Sequence, residues 1–162
     1  MSLKVSRWMF AICLIGPSLG FAKDLTSRLG LGIKNNTSFD LPAVATVYYP
    51  SADVGITGGL GIDTLKDGSK MTLNGGIRRI LFKEEHMNFY FGGQAGLVNY
   101  ETAAEKQSGF ELNALFGAEF FFTGLDSLGF SFEGGVGLAS LKEVRFRTIA
   151  DHPFRAGIIF YF

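Results

Sequence analysis

The sequence predicts an all-β fold, an eight-stranded antiparallel up-and-down barrel, on three observations. Apolar residues alternate with polar or small ones along most of the chain, and a period of two is the pattern of a β-strand with one apolar face. The segments with this pattern number eight, and no stretch shows the 3.6-residue period of an amphipathic helix. The 162 residues also include 22 glycines and 17 phenylalanines with a single cysteine, a composition that suits neither a helical domain nor a disordered chain.

The start of the chain has the three parts of a secretory signal peptide. Lys4 and Arg7 give it a basic beginning, a short apolar stretch follows, and the small residue Ala22 marks the expected cleavage point. The apolar stretch is about half as long as the roughly 18 residues that a membrane-spanning helix needs. We therefore expect a signal peptide over residues 1–22 and a barrel domain over residues 23–162.

The charge balance of the remaining chain bears on its partners and its stability. Without Lys4 and Arg7 it has 13 basic residues against 15 acidic ones, so a nucleic-acid partner is not expected. The only cysteine, Cys13, belongs to the expected signal peptide. A small exported chain without disulfides needs a good core, a partner or a membrane to stabilise it.

The first four strands are predicted by where their apolar residues fall. In the first, Leu29, Leu31 and Ile33 share one face, opposite two glycines and a lysine. In the fourth, the neighbours Arg78 and Arg79 break the alternation, because one of them must lie on the apolar face. A β-bulge, or an arginine that extends towards a nearby interface, would relieve this conflict. The predicted ranges are residues 28–34, 41–49, 53–63 and 71–82.

The last four strands show clearer alternation. In the sixth strand, for example, Phe110, Leu112 and Phe116 oppose Glu111 and Asn113. Strands of roughly ten residues have the length at which a tilted strand crosses the hydrocarbon layer of a membrane. The predicted ranges are residues 88–100, 110–122, 128–138 and 154–162. The connections at one end are 50–52, 83–87 and 123–127, and those at the other end are 35–40, 65–69, 101–109 and 141–153, the longest.

Periodicity alone does not distinguish a membrane barrel from a soluble one. A soluble ligand-binding barrel turns its apolar face inwards, whereas a membrane barrel turns that face towards lipid. The last strand favours the membrane barrel, because Phe154, Ile158, Phe160 and the terminal Phe162 alternate along it. This pattern resembles the final strand of bacterial outer-membrane proteins, in which a terminal aromatic residue is read by the insertion machinery.

Two further features favour the same arrangement. The polar face is rich in glycine, which suits the narrow interior of an eight-stranded barrel. Most of the aromatic residues fall at one level of the predicted strands, as in the aromatic girdle at a membrane–water interface. This predicted girdle consists of Tyr48, Tyr49, Phe82, Phe89, Tyr90, Phe91, Phe120, Phe121, Phe122, Phe130, Phe132, Phe160, Tyr161 and Phe162.

On the membrane interpretation the charged residues of the polar face lie inside the barrel. An unpaired ion in a low-dielectric interior is costly, so we expect these groups to form a bridged network that fills the lumen. Eight strands enclose a space just wide enough for side chains, so a general diffusion pore is not expected. The predicted network consists of Arg28, Lys34, Asp53, Asp63, Arg78, Glu111, Glu119, Glu133 and Arg155.

The sequence offers little that points to catalysis. Asp151 and His152 in the last outer loop, with a serine such as Ser140, are the only candidates for an acyl-transfer site, and His86 fits a solvated turn. We expect no catalytic residues. There is no Cys/His cluster and no phosphate-binding loop, so no metal or cofactor is expected.

The last outer loop is also the most basic part of the chain. It contains Lys142, Arg145 and Arg147, and arginine pairs with phosphate in a bidentate geometry. These residues are therefore candidate contacts for the phosphates of lipopolysaccharide. The alternative is a basic loop that is only solvated.

From residue 23 onward the chain resembles the small eight-stranded outer-membrane proteins, namely the OmpX-like proteins and the membrane domain of OmpA. The resemblance rests on strand count, alternation and the terminal phenylalanine. It implies a monomeric barrel in the bacterial outer membrane, delivered by periplasmic chaperones and the barrel-assembly machinery. We expect a non-catalytic structural or surface-interaction protein with a plugged lumen, in contact with outer-membrane lipid and lipopolysaccharide. The alternatives are a lipid A-modifying acyl hydrolase or transferase and a soluble periplasmic ligand-binding barrel.

Overall fold

The computed structural model has an all-β architecture in the residues that it describes, with no helices among them. The expected signal peptide lies outside the described residues, as do Phe154, Asp151 and His152. The described residues are 23–35, 38–39, 41–149 and 155–162. Their strands are β1 (Leu29–Asn35), β2 (Pro42–Tyr48), β3 (Val54–Asp63), β4 (Ser69–Glu84), β5 (Met87–Glu101), β6 (Lys106–Phe121), β7 (Leu128–Ser140), β8 (Val144–Ile149) and β9 (Arg155–Tyr161).

The strands form one closed antiparallel sheet. Each strand from β1 to β7 pairs with its neighbour in chain order, and β9 pairs with both β7 and β1. Strands β8 and β9 pair with successive lengths of β7, β8 with residues 135–140 and β9 with residues 128–133. Together they fill the eighth position, so the predicted closed barrel of eight antiparallel strands is confirmed.

Two of the connections between strands, β5–β6 and the one after β7, are shorter than the sequence predicted. Strands β5 and β6 extend to Glu101 and Lys106, which leaves a connection of only residues 102–105. The predicted loop 141–153 contains strand β8, so the connection from β7 is only residues 141–143. The sequence analysis missed β8 because arginines, rather than small or acidic residues, alternate with its outward-facing residues.

The barrel has an apolar outer face and a polar interior. Leu31 and Ile33 on β1 are 49% and 63% exposed, whereas Glu119 on β6 is 0% exposed. This arrangement follows the sequence alternation, since adjacent residues of a strand point to opposite faces. Carboxylates and guanidinium groups therefore fill the space that leucine and phenylalanine occupy in the core of most soluble domains.

The adjacent arginines of β4 lie on opposite faces. Arg78 is buried inside the barrel, and Arg79 is exposed on the outer face, where its strand neighbours are Val54 and Phe91. The register with β5 then shifts between Ile80 and Phe82, which marks a β-bulge. The expected bulge is thus present, but it comes after the arginine pair and leaves Arg79 on the apolar side.

We call the end of the barrel that contains Lys23–Leu29 and Tyr161–Phe162 the near end, and the opposite end the far end. Aromatic pairs lie edge to face on the outer side of the near end: Phe120 with Phe132, Phe122 with Phe130, and Phe160 with Phe162.

Four members of the predicted girdle are instead inside the barrel, namely Tyr49, Tyr90, Phe121 and Tyr161. The prediction was wrong for them because it grouped residues by level and not by face. Each of the four directly follows or precedes an outward-facing aromatic residue, and strict alternation therefore turns it inwards.

Candidate functional site in the barrel interior

The near end of the interior contains a buried ion pair bound by tyrosines. The Arg78 Nη2 atom donates to Glu119 Oε2 at 2.9 Å and to Tyr161 Oη at 2.8 Å. Tyr161 Oη in turn donates to Glu119 Oε1 at 2.6 Å. Both carboxylate oxygens of Glu119 are therefore engaged, which is what a buried charge requires if its desolvation is to be offset.

Aromatic rings surround the guanidinium group of Arg78. Its Cζ atom lies 5.0 Å from the centre of the Tyr49 ring and 4.7 Å from that of Tyr90. A desolvated cation over aromatic faces gains about 2 kcal/mol or more per contact. The two rings thus add to the stabilisation that Arg78 receives from its carboxylate partner.

An apolar floor closes the barrel below this pair. Leu25, from the segment before β1, is fully buried with Phe121 and the rings of Tyr49 and Tyr161. The backbone of Ser27 donates to the carbonyl oxygen of Tyr49 at 2.8 Å, which holds the segment across the opening. These side chains pack together at the near end of the lumen.

Glycines make the room for these large groups. A Cβ atom at position 117 would lie 2.8 Å from Cγ of Glu133 and 2.9 Å from Cζ of Tyr90. A Cβ atom at position 129 would lie 2.9 Å from Oε1 of Glu119. The glycine-rich face predicted from the sequence therefore corresponds to close approach between strands and the side chains that fill the lumen.

The middle of the interior is organised around Glu133. Lys34 forms an ion pair with Oε1 of this carboxylate, and Tyr90 Oη donates to the same oxygen at 2.6 Å. Arg155 Nη1 lies 3.6 Å from Oε2 of Glu133 and donates to Oε1 of Gln94 at 3.0 Å. One carboxylate is thus shared by two cations.

A third cluster lies at the far end of the interior. Arg147 Nη2 donates to Ser38 Oγ at 2.8 Å and to Glu111 Oε2 at 3.2 Å. Ser38 Oγ donates to the same oxygen of Glu111 at 2.6 Å. The Arg147 side chain is 13% exposed, more than either partner of the near-end ion pair.

The structure brings six of the nine predicted network residues together and leaves three at the ends. The six are Lys34, Arg78, Glu111, Glu119, Glu133 and Arg155. Asp53 is exposed and pairs with Lys83 at 2.7 Å, and Asp63 accepts a hydrogen bond from the backbone of Leu65. Arg28 lies half-buried just before β1.

Arg147 is a charged interior residue that the sequence analysis did not place in the network. It was assigned with Lys142 and Arg145 to a surface loop, but strand β8 points it into the lumen beside Gly137 of β7. Lys142 forms an ion pair with Glu105 at 2.5 Å, and Arg145 is exposed. The signal that could have found Arg147 is the alternation of Val144, Phe146 and Thr148 with the two arginines.

Within the described part of the chain, His86 is half-exposed beside Glu85 and Thr123 in the turn between β4 and β5. The described residues contain no group of three or more His, Cys, Asp or Glu side chains placed to hold a metal ion. Nor do they contain a helix whose length and apolar character would allow it to cross a membrane.

Comparison with known proteins identifies no matching family model, no similar curated protein and no similar solved structure.

Proposed function

We propose that this chain is an outer-membrane β-barrel protein with a filled polar lumen and a non-catalytic structural or surface-interaction role. The observation that carries this proposal is the apolar outer face. Large exposed apolar side chains occur on the outer face of every described strand, for example Leu31, Val44, Ile77, Leu97 and Phe146. A soluble monomer rarely exposes a contiguous apolar patch of more than a few hundred Å².

Lipid around the barrel accounts for this face and for the closed sheet. In hydrocarbon every backbone N–H and C=O group needs a partner within the protein, and a closed barrel provides these partners along its strands. The edge-to-face phenylalanine pairs at the near end have the position of an interfacial girdle. Arg79 lies on the outer face close to the same end, where a long side chain can reach the headgroups.

The interior supports a filled lumen over a pore or a ligand-binding barrel. The cavity between Lys34, Arg78 and Glu133 in the interior has a volume of about 40 Å³. Pockets for small organic molecules are typically about 300–1,000 Å³. With the apolar floor at Leu25 and the ion pairs above it, the lumen has the character of a packed core.

We propose only a general class of role for this barrel, because one fold serves many functions. The resemblance to OmpX-like proteins and to the membrane domain of OmpA supports a monomer in the bacterial outer membrane, exported with a signal peptide. The far connections 64–68, 102–105 and 141–143 are short. They suit a small contact site for lipopolysaccharide or another envelope component better than a large adhesive surface.

The first test is where the protein fractionates and how it migrates in electrophoresis. We expect it to remain with the outer-membrane fraction after osmotic shock and to need detergent for extraction. A folded barrel should migrate differently in cold detergent than after boiling. Release by osmotic shock without detergent would instead indicate a soluble periplasmic barrel and would overturn the proposal.

The second test asks what the outer face contacts. Leu112 lies outward near the middle of β6, and Ser108 lies outward near its far end. If lipid surrounds the barrel, Leu112→Arg should cost about 2–4 kcal/mol of unfolding free energy, and Ser108→Arg about 0–1 kcal/mol. Urea unfolding in lipid vesicles measures both. Equal small costs for the two variants would show that the outer face is not in hydrocarbon.

A further inference from the structure

The mid-lumen cavity is positively charged. Among the described residues that line it are the cations Lys34, Arg78 and Arg155, against one carboxylate, Glu133. Glu119 neutralises Arg78 from the near-end side of the cavity. Even with this second carboxylate included, the group has three positive charges and two negative ones.

Hydrogen-bond donors inside the cavity wall lack protein partners. Within the described structure, neither Arg78 Nε nor Ser131 Oγ has a hydrogen-bond partner. Both residues line the cavity, and their side chains are at least 95% buried. A buried donor left unsatisfied costs about 1–3 kcal/mol, and more when the group is charged.

The one carboxylate of the wall is paired with two cations, although its Oε2 atom has no hydrogen-bond partner within the described structure. Glu133 is shared by Lys34 and Arg155, as described above. Glu133 offsets only one of its two cations and Glu119 offsets Arg78, so one positive charge of the group remains without a counter-charge. A neutral ligand such as water would satisfy the two donors, but it would not offset the excess charge in a low-dielectric interior.

We propose that this cavity binds a small monovalent inorganic anion of the size of chloride, with Arg78 Nε and Ser131 Oγ as its donors. The volume of about 40 Å³ is enough to admit a monatomic ion. The site lies inside the barrel, so it does not depend on what surrounds the outer face. Bound in this position, the anion brings the net charge of these five groups to zero and so stabilises the middle of the lumen.

The direct test uses bromide as the probe. Crystals of the folded chain grown in detergent with sodium bromide should show an anomalous peak in the cavity, within hydrogen-bonding distance of Arg78 Nε and Ser131 Oγ. Lys34→Met removes the excess positive charge and should abolish this peak. A wild-type cavity without an anomalous peak, in a crystal that shows bromide elsewhere, would overturn the proposal.

A stability measurement tests the same site in solution. The urea midpoint of the wild type should be higher in sodium chloride than in sodium gluconate at equal ionic strength, because a ligand that binds only the folded state stabilises it. Lys34→Met should lose this difference, whereas Lys106→Met, which removes an exposed cation of β6, should keep it. A wild type with equal midpoints in the two salts would contradict an anion site.

A second variant tests the same site in case Lys34→Met does not fold. Ser131→Ala removes one donor and no charge, and it should weaken the apparent chloride affinity by about tenfold or more. An unchanged affinity in Ser131→Ala would show that the chloride effect, if present, arises at another place.

Discussion

Each end of the barrel interior contains an arginine–glutamate ion pair, and the two pairs have different surroundings. At the near end, Arg78 and Glu119 lie beneath tyrosine rings and above an apolar floor. At the far end, Arg147 and Glu111 are bridged by a serine, and Arg147 retains partial contact with solvent. Loss of one partner of an ion pair costs more the more deeply the pair is buried, because the remaining charge is left without a partner and without water. The comparison therefore predicts that near-end residues determine the stability of the barrel.

The largest expected effect comes from breaking the near-end pair. Arg78→Met would leave the carboxylate of Glu119 buried without its cation, and loss of one partner of such a pair costs about 3–5 kcal/mol. We expect this loss in the free energy of unfolding, measured by urea titration of the folded barrel and followed by far-ultraviolet circular dichroism.

The neighbouring arginine provides the matched control for this variant. Arg79→Met makes the same chemical change one residue later, on the outer face, and should alter stability by less than about 1 kcal/mol. Equal losses of unfolding free energy in Arg78→Met and Arg79→Met would mean that the burial of Arg78 is not the cause of the loss.

The next effect isolates the hydroxyl group that joins the arginine and the carboxylate. Tyr161→Phe keeps the ring but removes the hydrogen bonds to Glu119 and Arg78, and hydrogen bonds to charged groups contribute about 1.5–3 kcal/mol. The expected loss is in this range. Tyr48→Phe is the control, because Tyr48 is exposed on the outer face and should change little. If both variants unfold at the wild-type urea concentration, the tyrosine hydroxyl is not part of the near-end network.

A smaller effect is expected when the far-end pair is broken. After Arg147→Met, Glu111 keeps its hydrogen bond from Ser38, so its carboxylate retains one donor. We expect a loss towards the lower end of about 1–3 kcal/mol, because the Glu111 carboxylate keeps one donor and the lost cation is partly exposed. Arg145→Met, two residues earlier on the same strand, should be near neutral. A loss for Arg147→Met as large as that for Arg78→Met would remove the distinction between the two ends.

The sequence predicted the closed eight-stranded barrel and most of the interior charges because both depend on local alternation. A strand period of two assigns Glu111, Glu119 and Glu133 to one face without any knowledge of the fold. Which cation meets which carboxylate depends on register and shear across several strands, and a single strand does not encode these. The contact of Arg78 on β4 with Glu119 on β6 is therefore visible only in three dimensions.

The interior tyrosines and Arg147 show a second limit. Tyr49 and Tyr161 are amphipathic, so the same residue type suits an interfacial girdle or a buried network with a carboxylate partner. Arg147 lies in a segment whose basic composition is typical of a loop, although its alternation is that of a strand. In both places composition and periodicity disagreed, and periodicity was the better guide because it follows the geometry of the backbone.

The smallest expected effect is at the surface of the far end, where Glu105 in the β5–β6 connection forms an ion pair with Lys142. Hydrogen bonds from Lys142 and then Gln107 hold the pKa of the Glu105 carboxyl below its ordinary value. A carboxyl with a lowered folded-state pKa stabilises the fold above its unfolded-state pKa, and this contribution is lost as the pH falls through the folded-state value. Nuclear magnetic resonance titration of Glu105 should therefore show a midpoint below that of a free glutamate, and Lys142→Met should move it upwards. Global stability should hardly change, because the group is exposed. A midpoint that Lys142→Met leaves unchanged would mean that the two side chains do not pair in solution.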